Sequence, residues 1–288
     1  MDAMLINAQD MLAEAVDDLR AGRLVPYLGP GISALKSQPQ GQSVPLSPEA
    51  LADWFGAKVA LPKRARGNAW AAAQHIESYK HRSTVTALMA EAFAEPVAPS
   101  AIHRHLATMG LPLIVDAWYA GEMRRALAGQ SDRISDWIEV QGITRAGIGE
   151  DRWFRFYRPD GEDATADEAT GATTLLYTPH GSAIPARNFL ISDADYVEVL
   201  TEIDIQTPIP EAVRLRRTGT PFLFLGCRFN DQLLRSYARQ IVKRSADPHF
   251  AVVSMAELTR NERMFLDDQN ITPIDLPLEF ALERFITA

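Results

Sequence analysis

Short runs of mostly apolar residues alternate with amphipathic stretches along this chain. Apolar residues recur at three- and four-residue intervals in residues 8–21, which predicts a helix that buries one face. Apolar runs without that spacing are typical of strands that are buried on both faces. They occur at residues 24–28, 111–116, 173–177, 188–192, 221–225, 249–254 and 271–276.

Strands that alternate with helices predict an α/β fold built on a Rossmann-like, doubly wound, mostly parallel sheet. Two segments depart from the alternation. Residues from about 48 to 109 are Ala-rich and helical in pattern, and Ser47-Pro48 is a typical helix start. Residues from about 132 to 172 contain two β-prone stretches and an acidic loop at 160–171. We therefore predict a single domain over residues 1–288, with a helical insert or cap and a small strand-and-loop insert.

The composition narrows the range of functions. The 288 residues carry a formal net charge of -8, which argues against nucleic acid or an anionic membrane surface as a partner, since both require a basic face. Cys227 is the single cysteine, so an internal disulfide and a cysteine-based zinc site are excluded, and we expect no metal. Residues 1–12 lack the pattern of a signal peptide, and no run approaches about 18 apolar residues. We expect a cytoplasmic protein.

The first apolar run ends in a glycine-rich turn, Gly29-Pro30-Gly31-Ile32-Ser33. Because glycine has no Cβ, the backbone amides of Gly29 and Gly31 can approach an anion closely, and both residues can adopt positive φ. Pro30 removes one donor. The turn is a candidate phosphate-binding loop, although so short a motif is also common as a plain connection after a strand.

Two later strand ends carry further candidates. His180 follows the run at 173–177, and Gly226-Cys227-Arg228 with Asp231 follows the run at 221–225. The carboxyl ends of parallel strands meet at one edge of a sheet, and ligands bind there near a topological switch point. A neutral imidazole can accept a hydroxyl proton at neutral pH, but a loop histidine can equally satisfy a backbone carbonyl.

Taken in order, these motifs resemble those of the sirtuin-like superfamily, in particular its divergent prokaryotic branch. Residues 29–33 are similar to the family's Gly-Ala-Gly-x-Ser loop, residues 179–182 to its His-Gly segment, and residues 226–231 to its Gly-(Tyr/Thr)-Ser-x-x-Asp turn. The resemblance implies that the first turn holds the phosphates of a cofactor such as NAD and that Gly226 and Cys227 lie near its adenosine. Arg228 and Asp231 are further candidates for binding the cofactor. It further implies that His180 acts as general base on the nicotinamide ribose and that a homo-oligomer is plausible.

The sequence departs from the family after the second apolar run. There the family carries a Thr-(Thr/Gln)-Asn-x-Asp segment that orients the nicotinamide ribose and a water, whereas this chain has Asp116-Ala117-Trp118-Tyr119-Ala120. An indole cannot replace a carboxamide, and a methyl group accepts no hydrogen bond. Trp118 and Tyr119 are either rings that stack on a cofactor or core residues. Asp116 either takes over part of the lost carboxylate's role or caps the next helix.

Three functions remain open. The first is a sirtuin-like protein that binds NAD, ADP-ribose or a related adenine nucleotide, has lost catalysis, and serves a protein partner as a regulatory or interaction subunit. The second is an active NAD glycohydrolase that uses His180 with Asp116. The third is a structural or assembly protein with an empty pocket. A zinc-dependent protein deacetylase is not expected, because one cysteine cannot supply a four-cysteine zinc module.

Overall fold

The computed structural model describes residues 2–35, 44–130, 136–143, 153–205 and 209–287, and for residues 2–6 and 202–205 it describes the helical backbone only. The strands are β1 (Val25–Leu28), β2 (Leu113–Asp116), β3 (Trp137–Gly142), β4 (Phe154–Tyr157), β5 (Thr174–Thr178), β6 (Gly181–Ser182), β7 (Asn188–Phe189), β8 (Phe222–Leu225), β9 (His249–Val253) and β10 (Ile271–Asp275). The helices are α1 (Asp2–Arg20), α2 (Gly31–Ala34), α3 (Pro48–Lys58), α4 (Ala69–Lys80), α5 (Arg82–Ala92), α6 (Ala101–Ala107), α7 (Glu122–Ala128), α8 (Ala166–Gly171), α9 (Asp193–Ile205), α10 (Glu211–Arg217), α11 (Gln232–Val242), α12 (Arg260–Asp268) and α13 (Leu278–Thr287).

The central sheet confirms the predicted fold class. Its strand order is β10-β9-β8-β1-β2-β5-β3-β4, and its neighbouring strands are parallel except for β3 and β4. Strand β2 lies on one side of β1 and β8 on the other, so the direction of winding reverses between β1 and β8. A reversal of this kind opens a crevice at the carboxyl ends of the two strands.

Strand side chains alternate between two apolar layers. In β8, Phe222 and Phe224 pack into one layer, whereas Leu223 and Leu225 pack into the other. The first layer includes side chains of α3–α5 and α8–α12, and the second includes side chains of α1, α6, α7 and α13. Helices therefore cover both faces of the sheet, which is why its strands appear in the sequence as continuous apolar runs.

Within the predicted helical insert, α3, α4 and α5 pack on one another, and α4 also packs on α9. These three helices form the cap. Their starts follow local capping chemistry: the Ser47 hydroxyl accepts a hydrogen bond from the Ala50 amide at 3.1 Å, and the Asn68 side chain accepts one from the Ala71 amide at 2.9 Å. Helix α6 instead packs against α7 and α13 in the opposite layer.

One local prediction is confirmed only in part and another is wrong. Residues 188–192 contain a short strand, β7, but the hairpin β6–β7 pairs Asn188–Phe189 with Gly181–Ser182, so this strand does not join the main sheet. The predicted acidic loop at 160–171 contains α8, which starts at a reciprocal capping box between Thr165 and Glu168. Of the strand-and-loop insert, residues 132–135 and 144–152 lie outside the described residues.

Candidate functional site

A cavity of about 400 Å³ lies where β1 and β8 end and is termed the central cavity. It is lined by residues of the glycine turns after β1 and β8, of the cap, and of helices α9 and α11. Of the site residues expected from the sequence, Ile32, Ser33 and Asp116 are not part of its wall. The wall includes Tyr27, Gly29, Pro30, Gly31, Ser47, Glu49, Asn68, Trp70, Trp118, Tyr119, His180, Tyr196, Gly226, Cys227, Arg228, Asp231 and Tyr237.

The glycine turns after β1 and β8 interlock through their backbones. The Gly31 amide donates to the Gly226 carbonyl at 2.9 Å, and the Gly29 amide donates to the Leu225 carbonyl at 2.8 Å. A Cβ at Gly31 would lie 2.7 Å from the Gly226 oxygen, and one at Gly29 would lie 2.7 Å from the Cys227 sulfur. Side-chain atoms do not fit at such distances, so close approach of the two turns requires glycine at both positions.

This use of the glycines differs from the one inferred from the sequence. Positive φ occurs at Gly226, at +67°, and not at Gly29 or Gly31. The amides of Gly29 and Gly31 are bonded inside the protein, as is the Ile32 amide, which donates to the Gly29 carbonyl at 3.3 Å. The Ser33 hydroxyl donates to the Glu122 carboxylate. These groups are therefore not free donors for a phosphate.

His180 reaches the central cavity as a buried, neutral imidazole. Its ring lies 4.6 Å from the Tyr237 ring, and its Nδ1 lies 3.1 Å from the Tyr196 hydroxyl. Burial lowers the pKa of His180 to about 3, so the ring stays uncharged at physiological pH. A neutral imidazole offers one donor and one acceptor nitrogen, and the neighbouring hydroxyls decide which is which.

Hydrogen bonds hold the ring of His180 in place through Tyr196. The Trp70 indole donates to the Tyr196 oxygen at 3.2 Å, and the Tyr196 hydroxyl lies 3.1 Å from Nδ1 of His180. Two tautomers fit this contact. When Tyr196 donates to Nδ1, Nε2 carries the proton, and when Nδ1 donates to Tyr196, Nε2 is an acceptor. Only the second tautomer has the acceptor that a general base requires.

Asp116 belongs to a separate buried polar cluster beneath the glycine turn. Its carboxylate accepts hydrogen bonds from the Trp118 amide at 3.2 Å and from the Met123 amide in the first turn of α7. Burial, assisted by the nearby Glu122, raises the pKa of Asp116 to about 7. The fold therefore does not bring Asp116 and His180 to the same cavity wall.

Replacing Asp116 with Asn should stabilise the protein more at about pH 8 than at about pH 5. The folded state holds a proton on Asp116 up to about pH 7, whereas the unfolded chain releases it near the ordinary value of 3.8. The free energy of unfolding of the wild type therefore falls as the pH rises from 3.8 to about 7. Replacing Asp116 with Asn removes this fall. Urea midpoints of Asp116→Asn and of the exposed control Asp267→Asn measure the effect. An equal difference from wild type at both pH values would contradict it.

Trp118 and Tyr119 are core residues that also face the central cavity. The Trp118 ring is T-shaped against Phe93 at 6.0 Å and lies 5.1 Å from the Tyr119 ring. Trp118 is only 4% exposed, and within the described chain its Nε1 is buried without a hydrogen-bond partner. The sequence left open whether these rings are core residues or stack on a cofactor. The structure is compatible with both, since the packed rings also form part of the cavity wall.

A hydrogen bond in the wall of the central cavity joins the cap to the start of α11. Asp231 is the N-cap of α11 and accepts from the Leu233 amide at 2.8 Å, while its other oxygen accepts from the Asn68 side chain at 3.2 Å. Arg228 is bound to Glu262 at 2.8 Å. Burial raises the pKa of the Cys227 thiol, so Cys227 contributes a neutral thiol to the wall.

A family model, described as a SIR2-like domain, matches residues 112–274, more than half of the chain. The chain belongs to the SIR2-like family. The sirtuin-like resemblance is thereby confirmed. The matched range contains Trp118, His180 and the Gly226 turn of this SIR2-like domain, and it begins after the Gly29 turn. Comparison with curated proteins finds no match.

Several wall residues of the SIR2-like cavity were not identified from the sequence. Tyr27 occupies an alternating position of β1, and Asn68 precedes a helical pattern as a typical N-cap, so both had a local signal. Trp70 and Tyr237 had none, because an aromatic on an amphipathic helix is by default a core residue. Their place in the wall depends on how the cap and α11 meet the sheet.

Among the described residues of this SIR2-like chain, no group of three His, Cys, Asp or Glu side chains is placed to hold a metal ion. None of the described helices combines the length and apolar character needed to cross a membrane.

Proposed function

We propose that this SIR2-like protein binds NAD, ADP-ribose or a related adenine nucleotide in the central cavity, does not cleave it in the usual way, and acts as a regulatory or interaction subunit. The observation that carries the proposal is the cavity of about 400 Å³ at the reversal between β1 and β8, with His180 in its wall. Its size falls within the range of about 300–1,000 Å³ found for small-molecule sites.

The polar groups of the wall suit a molecule with both hydroxyls and phosphates. Three wall residues, Ser47, Asn68 and Asp231, are N-caps of α3, α4 and α11. The positive ends of three helix dipoles thus point to this region and favour negative charge. The Asp231 carboxylate is an acceptor for ribose hydroxyls, and Nε2 of His180 is a further polar contact for them. The phosphates of a bound nucleotide would interact with these helix dipoles and with Arg228. The amides of Gly29 and Gly31 are not free for them, because both amides are hydrogen-bonded inside the protein.

Loss of the usual cleavage is supported by what surrounds His180. Trp118 occupies the position of the family's carboxamide and contributes an apolar ring to the wall. Asp116, the nearest carboxylate in sequence, bonds to backbone amides at the start of α7 and is absent from the wall. Neither residue can orient a water over the nicotinamide ribose.

The test is thermal unfolding with NAD, ADP-ribose and FAD, followed by an assay for free nicotinamide. A ligand at about 100 times its Kd stabilises the fold by about 2.7 kcal/mol, which raises Tm by several degrees at this size. We expect such a shift with NAD and ADP-ribose, a smaller one in His180→Ala, and no nicotinamide. The control is His75→Ala, since His75 packs on Tyr79 outside the cavity.

Other outcomes discriminate between the remaining functions. No shift with any adenine nucleotide would refute the proposal and favour an assembly protein with an empty pocket. Equal shifts in wild type, His180→Ala and His75→Ala would place the nucleotide outside the central cavity.

One observation, the neutral imidazole of His180 in the cavity wall, favours an active NAD glycohydrolase as a second candidate. In the tautomer with the proton on Nδ1, which bonds to Tyr196, Nε2 is an acceptor, as required for deprotonating a ribose hydroxyl. Under this hypothesis, nicotinamide release is lost in His180→Ala and retained in His75→Ala. Equal release by both variants would exclude it.

A further inference from the structure

A second concavity, of about 960 Å³, lies between α5, β4 and the β6–β7 hairpin and is termed the basic cleft. It shares no wall residue with the central cavity. Among its wall residues are Arg82, Arg155 and Arg187, and none of the described residues that line it is an aspartate or glutamate. A wall of this charge is unusual in a chain whose net charge is -8.

The three arginines differ in what already neutralises them. Arg82 is bound to Asp195 at 2.5 Å and to Glu77 at 3.2 Å, so its charge is compensated within the fold. Arg155 lies beside Tyr157 and lowers the pKa of its hydroxyl, while burial raises it, and the Nε of Arg155 makes no hydrogen bond within the described residues. Neither Arg155 nor Arg187 forms an ion pair with any part of the chain that the structure describes. Among the described residues, no carboxylate therefore neutralises these two positive charges beside the cleft.

The rest of the wall matches an oxyanion attached to a small organic body. Ser83 and Thr86 contribute hydroxyls from the first turns of α5, whose N-cap has no side-chain hydrogen bond. The half-buried Pro185 and the buried Phe189 form an apolar part of the wall. Guanidinium groups bind phosphate oxygens in pairs, and hydroxyls supply further donors.

We propose that the basic cleft is a second binding site, for a small phosphorylated organic molecule. Arg155 and Arg187 bind the phosphate, and the hydroxyls of Ser83 and Thr86 complete its shell. The apolar part of the wall holds the remainder of the molecule. A volume more than twice that of the central cavity exceeds the needs of a lone phosphate ion.

The test is isothermal titration calorimetry of the full chain with ribose 5-phosphate, inorganic phosphate and pyrophosphate at constant ionic strength. We expect ribose 5-phosphate to bind more tightly than inorganic phosphate. Arg155→Ala/Arg187→Ala should weaken its binding by about tenfold or more. The matched control is Arg64→Ala/Arg260→Ala, which removes the same charge from exposed positions outside the cleft.

The pair Arg155→Lys/Arg187→Lys keeps the charge but loses paired donors, and its affinity should be intermediate. This pair also keeps the test informative if the alanine variant folds poorly by circular dichroism. Absence of ribose 5-phosphate binding by wild type at about millimolar concentration would overturn the proposal. So would equal affinity of the alanine variant and its control. Tighter binding of inorganic phosphate than of ribose 5-phosphate would refute the organic part of the ligand.

Discussion

Gly29→Ala is expected to destabilise the protein by about 3 kcal/mol or more, seen as a lower urea midpoint and a Tm reduced by roughly 5–10 °C. The new Cβ would lie 2.7 Å both from the carbonyl carbon of Gly226 and from the Cys227 sulfur. The neighbour is backbone at the end of a buried strand, so it cannot rotate away as a side-chain tip would. Relief requires β1 and β8 to separate, which breaks the Gly31–Gly226 hydrogen bond.

The control is Gly171→Ala, at the end of α8, where nothing lies within 4 Å of an added Cβ. That substitution should be neutral or stabilising by up to about 1 kcal/mol, since alanine loses less backbone entropy on folding. If Gly29→Ala were as stable as Gly171→Ala, the close packing of the two turns would be wrong. A glycine at residue 29 would then be explained by ligand binding alone.

Arg124→Met is expected to cost about 3–5 kcal/mol of unfolding free energy, because it leaves a buried carboxylate without its cation. Arg124 of α7 forms an ion pair with Glu139 of β3, with side chains 7% and 0% exposed. Arg124 also donates to the carbonyls of Arg158 and Pro159, at 2.9 and 3.0 Å. Chemical denaturation measures the loss, and Arg23→Met is the control, since the Arg23–Asp18 pair is exposed and contributes about 0–1 kcal/mol.

The pH dependence and a double variant separate charge from packing in this prediction. Burial raises the pKa of Glu139, while Arg124 lowers it. Without Arg124 the folded carboxyl keeps its proton to a higher pH, so the loss should be larger at about pH 8 than at about pH 5. Arg124→Met/Glu139→Gln should recover most of the stability, because no charge remains buried. If the double variant is as unstable as the single one, the loss comes from packing and from the Arg158 and Pro159 carbonyls.

Local patterns in the sequence predicted most strands and the fold class correctly. The apolar run at 221–225 corresponds to β8. A strand that is covered on both faces is apolar at every position, so it can be recognised as a continuous apolar run. The hairpin β6–β7 was missed as a hairpin because two-residue strands have no period to detect. Helix α8 was missed although Thr165 and Glu168 form a capping box, since its composition resembles that of a loop.

The candidate site was predictable in its parts but not in its assembly. Residues 29–31, His180 and residues 226–231 were each identifiable from local motifs at strand ends, and the structure places residues from all three segments in one wall. The ion pair of Arg124 with Glu139 had no local signal, since it joins a helix to a strand of the insert. The same is true of the basic cleft, whose arginines come from α5, β4 and the β6–β7 hairpin.

The sequence by itself determined most of the helices and strands, the order of motifs along the chain and the family to which the chain belongs. Only the tertiary structure decided what the motifs do. Gly29 and Gly31 have no room for a side chain, because the backbone of Gly226, about 200 residues away in the sequence, packs against them. Their amides donate to the carbonyls of Leu225 and Gly226 and are therefore not available to a phosphate. Asp116 does not share the cavity wall with His180, because its carboxyl group bonds to the backbone amides of Trp118 and Met123. Local propensity depends on neighbours in the chain, whereas hydrogen-bond partners and burial depend on neighbours in space.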